Sequence, residues 1–172
     1  MKLEEILNTV IQGDCLEIMK QLPDKCIDLV LTDPPYGIGY EYDLYQDSEE
    51  NLIELVNKFM PEVLRIGKRV AVFTGVQNVW KYPKGDWIMA YVWNTTATYG
   101  KFGYNQWQPV VLYGQDVKGF GSINEQLKSD VIKFSGGSSV GFLREHKDKN
   151  HPCPKPENIV KKLVARLSNP GE

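Results

Sequence analysis

The chain has 172 residues, a net charge of −2 and a sequence pI of about 5.8. Hydrophobic residues make up 42% and charged residues 24%, enough for one substantial core and too acidic for a dedicated non-specific nucleic-acid binder. Cys15, Cys26 and Cys153 are too scattered for a close-pair metal site or a secreted disulfide framework, so we expect reduced thiols and no metal. No N-terminal stretch has the order of a signal peptide, and no apolar run is long enough to span a bilayer. The default expectation is cytoplasmic, with no membrane partner.

Val10-Ile11-Gln12-Gly13-Asp14 is a short apolar run ending in Gly-Asp, and a helix is expected over residues 15–22. Asp14 and Glu17 have capping-box spacing at its start. Residues 27–32 read as a strand buried on both faces, ending at Asp33-Pro34-Pro35-Tyr36-Gly37. A polar loop follows. Asp47 and Glu50 repeat the capping-box spacing before a long amphipathic helix, whose apolar positions run from Leu52 to Leu64. Pro61 predicts a kink or two abutting helices, and Gly67 a stop. Residues 69–73 form the next strand and 77–81 a short helical piece. Residues 87–93 and 108–113 both read as strands with no strong helix pattern between them, so an antiparallel pair at a sheet edge is expected. Residues 115–150 lack a sustained apolar period and read as loop with at most short elements. A last helix spans 156–167, with Pro156 at its first position and Ile159, Val160, Leu163, Val164 and Leu167 on one face.

Strands alternating with helices, then a strand pair, predict an open, mostly parallel α/β sheet with an antiparallel edge. Ligands bind such sheets beyond the carboxyl ends of the strands, which places Asp14, Asp33 and the Thr74-Gly75 turn at one rim.

Asp33-Pro34-Pro35-Tyr36 is the stretch with the most chemistry. An exocyclic base amine is a poor nucleophile because its lone pair is delocalised into the ring. Two acceptors holding its two hydrogens favour the pyramidal, reactive geometry. The Asp33 carboxylate is one acceptor, and a carbonyl stiffened by successive prolines, presented by Pro34, is another. Tyr36 adds an aromatic face on which an extruded base can stack, worth roughly 1–3 kcal/mol per base. A plain strand-ending turn would also use Asp-Pro-Pro. The position directly after a buried strand, at the functional rim, favours the chemical reading.

These residues resemble a family. Gly13-Asp14, a helix, and Asp28-Leu29-Val30-Leu31-Thr32-Asp33-Pro34-Pro35-Tyr36-Gly37 look like the opening of the β-class DNA amino-methyltransferases. Trp107-Gln108-Pro109-Val110-Val111-Leu112-Tyr113 is similar to that family's Trp-x-Pro edge strand, and His151-Pro152-Cys153-Pro154-Lys155-Pro156, followed by a helix and Ser168-Asn169-Pro170-Gly171, resembles its His-Pro-x-x-Lys-Pro block. One such motif is weak evidence, but three in the family's order cover nearly the whole chain.

The resemblance implies a Rossmann-like methyltransferase sheet and methyl transfer from S-adenosylmethionine to N6 of adenine or N4 of cytosine. Adenine is placed first, because a Ser in place of Asp33 often accompanies cytosine. It implies that Asp33, Pro34, Pro35 and Tyr36 hold the target base. Asp14, His151, Lys155 and Pro156 would border the methyl donor, although Asp14 also reads as a helix N-cap and the other three as a rigid helix entry. DNA is the implied partner. Lys118, Lys128, Lys133, Arg144, Lys147 and Lys149 are candidate phosphate contacts in a recognition loop at 115–150, and each could equally be a solvated surface charge. The division is then 1–114 catalytic, 115–150 recognition and 151–172 the last block and helix. The aromatic cluster from Trp80 to Trp107, including Phe102 and Tyr104, reads as core and edge packing more than base stacking.

The family's order continues past Asn-Pro-Gly with the first donor-binding strand and a Gly-rich turn, whereas this sequence stops at Glu172. Gly37-Ile38-Gly39, Gly119-Phe120-Gly121 and Ser135-Gly136-Gly137 do not lie between a buried strand and a helix, so none substitutes. The expectation is a methyltransferase domain lacking its C-terminal donor-binding strands. The alternative is a non-catalytic remnant or one part of a split enzyme; an RNA-directed enzyme is a distant third. Without those strands one flank of residues 27–31 has no neighbour. Residues 10–12 could move inward and pair with it, a second copy could cover it, or a complementing chain could. The first is favoured, because the helix at 15–22 is a natural right-handed crossover between adjacent parallel strands.

Overall fold

The computed structural model describes residues 3–92, 98–115, 128–133 and 155–172. Its centre is a five-stranded sheet in the order β1-β2-β6-β3-β7, made of β1 (Ile27–Thr32), β2 (Gly67–Phe73), β6 (Trp107–Tyr113), β3 (Trp87–Val92) and β7 (Val131–Lys133). Pairings β1–β2 and β3–β7 are parallel, while β2–β6 and β3–β6 are antiparallel. The class is α/β as expected, with a mixed sheet. The expected antiparallel pair forms, but inside the sheet. β6 inserts between β2 and β3, and the three-residue β7, drawn from the stretch read as loop with at most short elements, takes the far edge. A separate two-stranded hairpin, β4 (Thr98–Gly100) and β5 (Gly103–Asn105), joins β3 to β6.

Helices cover both faces. α2 (Glu49–Ile66) lays Leu52, Val56, Phe59, Met60 and Val63 on one face, in a core shared with Val70, Val72, Tyr82 and Val111. α3 (Glu157–Leu167) lays Ile159, Leu163 and Leu167 on the other, against Ala71, Phe73, Met89, Tyr91 and Val110. β2 and β6 therefore carry apolar residues on both sides, the continuous pattern of a doubly covered strand. α2 runs unbroken through Pro61, because the buried face on either side of the proline belongs to one core. Gly67 ends it, donating its N–H to the Val63 carbonyl, and starts β2 directly.

One cap assignment changes and one holds. Ser48, not Asp47, caps α2, accepting from the Asn51 N–H at 3.2 Å. Asp14 caps α1 (Cys15–Met19), accepting from the Leu16 N–H at 2.8 Å. No capping box closes there, since Glu17 pairs forward with Lys20 at 2.7 Å. α1 also stops three residues short of the expected end; Lys20 to Leu22 continue as turns that Arg65 ties to α2 through the Met19 and Leu22 carbonyls.

The inward shift of residues 10–12 does not occur. They form no strand, Val10 is 100% exposed, and β1 pairs with β2 alone among the described residues. Arg65 ties the turns after α1 to α2, residues 10–12 stay exposed, and the outer edge of β1 has no strand beside it among the described residues. Among those residues no helix is long and apolar enough to cross a membrane.

Candidate functional site

The parallel register of β1 and β2 brings Asp33 and the Thr74-Gly75 turn to one rim, and the antiparallel pairing of Phe73 with Val110 brings the start of β6 there too. Tyr36 is fixed at this rim from three directions. Its hydroxyl donates to Asp33 Oδ1 at 2.6 Å and accepts from Gln108 Nε2 at 2.5 Å. Its carbonyl accepts from Asn78 Nδ2 at 2.6 Å. Asn78 is fully buried, and its own oxygen accepts from Lys81 Nζ at 2.8 Å. Burial, and then the adjacent Asp33 carboxylate, push the Tyr36 phenol far upward. It therefore stays protonated and acts as a donor to Asp33.

Lys155 closes the other side, from 122 residues along the chain, with Nζ 2.5 Å from Asp33 Oδ2. The same ammonium lies 5.4 Å from the ring centroids of Tyr36 and Phe73, a cation–π position over both. Both Asp33 oxygens are thus engaged, one by a phenol O–H and one by an ammonium N–H. An acceptor holding an N–H donor in this way is chemically suited to an amine, and Lys155 must yield before an amine takes its place.

The loop after Tyr36 is folded around Asp47. This carboxylate, only 4% exposed, accepts from the N–H groups of Gly37 (2.6 Å), Ile38 (3.0 Å) and Tyr40 (3.1 Å). Gly37 has φ +66°, and a Cβ there would stand 3.0 Å from the Ser48 carbonyl. Glycine is therefore required where the chain leaves Tyr36.

Of the residues expected at the site, the structure brings together Asp33, Tyr36 and Lys155 on one hydrogen-bonded centre. Pro34 and Pro35 lie between the first two, and buried Pro156 precedes α3 as its cap, one position earlier than expected. Asp14 is engaged as a helix cap. Lys133 is exposed at the end of β7, and Lys128 lies just before that strand. Lys118, Arg144, Lys147, Lys149 and His151 lie outside the described residues. Sequence reasoning missed Asn78, Gln108 and the loop-clamping role of Asp47. Gln108 sat inside a noticed motif, but only the folded register of β6 shows that it reaches Tyr36.

No family model matches the chain. It is 25% identical over 99% of its length to the type II methyltransferase M.HinfI of Haemophilus influenzae, and 22% identical over 95% to the DNA adenine methyltransferase YhdJ of Escherichia coli K12. It spans 58% of the first relative and 68% of the second. Among solved structures, the PvuII DNA methyltransferase (cytosine-N4-specific) matches 92% of this chain and 69% of its own, at 14% identity and a TM-score of 0.62. The putative DNA modification methylase TTHA0409 of Thermus thermophilus, complexed with S-adenosyl-L-methionine, matches 91% of this chain and 72% of its own, at 13% identity and a TM-score of 0.55. The fold is the Rossmann-like sheet of those enzymes.

Proposed function

We propose, from the premise that this chain is a relative of the β-class DNA amino-methyltransferases, that it holds an extruded DNA base and directs methylation of its exocyclic amine, N6 of adenine ahead of N4 of cytosine. The observation that carries this reading is the Asp33–Tyr36–Lys155 centre, a carboxylate already holding an N–H donor beside an aromatic ring at the sheet rim. Asp33 would accept one amine hydrogen and the Pro34 carbonyl the other, which draws the lone pair out of the ring. Tyr36, locked by Gln108 and Asn78, would orient the carboxylate and offer its ring edge and face to the base. The nitrogen exchanges one hydrogen, lost as a proton, for a methyl group.

S-adenosylmethionine is the donor in this reading and supplies that methyl group when bound. The described residues fit it poorly: no Gly-rich turn joins a buried strand to a helix among them, Asp14 is engaged as a cap, and Lys155 is engaged by Asp33. Calorimetric titration of the 172-residue chain is therefore expected to show donor affinity weaker than low-micromolar. A low-micromolar result would overturn this expectation.

A second reading, one part of an enzyme completed by another chain, is favoured by the outer edge of β1, which has no strand beside it among the described residues. Both readings are tested by incubating the chain with duplex DNA and millimolar donor, then analysing the nucleosides by mass spectrometry. N6-methyladenine supports the first reading, and N4-methylcytosine moves the target base. No product, together with no binding to duplex DNA, leaves neither standing.

A further inference from the structure

The β4–β5 hairpin has no account in the chemistry above. Its strands pair Thr98 with Asn105, Tyr99 with Tyr104 and Gly100 with Gly103, so Lys101 and Phe102 form a two-residue apex. Residues at such an apex are usually Gly, Asn or Asp, chosen for backbone freedom. Here Gly103, with φ +132°, takes the unusual conformation just after the apex. Lys101 and Phe102 are then not explained by the turn itself. Phe102 is 98% exposed, a large apolar side chain held wholly in water. Lys101 Nζ lies 5.8 Å from its ring centroid, so charge and ring are neighbours at the apex. A two-stranded hairpin is at best marginally stable in water without a surface to pack on.

The placement points to what that surface is. β5 is separated from β6 by Gln106 alone, and the β6 residue after Trp107 is Gln108, which holds the Tyr36 hydroxyl. Val92, the last residue of β3, pairs with Trp107, so both stems of the connection rise from the rim that carries Asp33. Phe102 is six residues from Gln108, at most roughly 20 Å of extended chain.

Resting on the reading of Asp33 and Tyr36 as the holder of an extruded base, we propose that this hairpin is a duplex-DNA contact whose Phe102 enters the base stack at the position the target base vacates, while Lys101 meets the adjacent phosphate. Removing a base from the stack leaves a gap with two apolar base faces. An exposed phenyl ring, with only two side-chain torsions to fix, fills such a gap at low ordering cost, and apolar wedges between base steps are a general means of holding an opened duplex. A cation beside the ring suits the flanking phosphate.

The test is fluorescence-anisotropy titration of the full chain with a labelled 30-base-pair duplex (~30, sized for one protein footprint), intact or carrying one abasic position. A preformed gap removes the unstacking cost, so the wild-type chain is expected to bind the abasic duplex more tightly. Phe102→Ala is expected to lose about tenfold on the abasic duplex, and with it most of the preference, while Phe102→Trp keeps both. Lys101→Ala should weaken both duplexes equally and reduce the salt slope by about one contact. The side chain is in solvent, so a thermal melt of Phe102→Ala should match the wild type. If Phe102→Ala binds both duplexes like the wild type, the wedge is wrong and the reading of the Asp33 centre stands. If the wild-type chain binds neither duplex, that reading fails and the wedge with it.

Discussion

In an active, donor-loaded enzyme that contains this chain, replacing Asp33 with Ala is expected to lower methyl transfer by about 10²–10³-fold or more, the range for removing one preorganised group that stabilises developing charge, while the fold persists. Asp33 is at the end of β1, outside both cores, so its loss opens no cavity. What it removes is the acceptor shared by Tyr36 and Lys155. Without it the amine keeps its planar, delocalised lone pair. The Lys155 ammonium is left near the site without its anion, adding positive charge where the nitrogen becomes cationic. Asp33→Asn separates the two effects: it keeps the shape and one acceptor oxygen but no charge, and should retain part of the activity lost in Ala. The measurement is transfer of labelled methyl groups to duplex DNA, beside a thermal melt. Near-normal turnover by Asp33→Ala would remove the carboxylate from the mechanism, whatever the fate of the fold.

Asp47→Ala should be the most damaging single change to the architecture of the site. One carboxylate terminates three backbone N–H groups of the loop that follows Tyr36, at 2.6–3.1 Å. Hydrogen bonds to a charged acceptor contribute about 1.5–3 kcal/mol each, less where water can replace them, so the total loss should be about 2–4 kcal/mol. For a chain of this length that is a fall in melting temperature of roughly 5–15 °C. Gly37 keeps its left-handed conformation only while the loop is held, so Tyr36 should lose its fixed direction as well. Asp47→Asn, which keeps one acceptor oxygen and no charge, should fall between. An unchanged melt for Asp47→Ala would show that water satisfies these groups and that the clamp has no energetic role.

Local patterns were legible where one element's own residues decide it. Residues 27–32 carry an apolar run that marked a strand, but the expected burial on both faces is only partial: Ile27 and Val30 pack against one core and Leu29 and Leu31 against the other, while every residue of β1 stays partly exposed, at an edge with no strand beside it among the described residues. The amphipathic period of residues 52–64 marked α2, and that of 159–167 marked α3, because a helix needs one buried stripe and little else. Within Asp33-Pro34-Pro35-Tyr36, the contact of the Tyr36 hydroxyl with Asp33 spans only three residues, so this pairing was within reach of a local reading.

What the sequence by itself determined is therefore the class of the fold, its main helices, and the closeness of Asp33 and Tyr36 in the candidate site. The tertiary structure alone decided the rest. It placed β6 between β2 and β3 and brought β7 from a stretch with no apolar period of its own. It delivered Lys155 to Asp33 across 122 residues, and Asn78 and Gln108 to Tyr36 across 42 and 72. It also turned Asp47 from an expected helix cap into a clamp on the loop after Tyr36, with Ser48 one residue on taking the cap. The physical reason is the same in each case. A side chain's hydrogen-bonding capacity is written in its residue type, but its partner is chosen by strand register and helix docking. Those depend on contacts between distant segments, which no local period encodes.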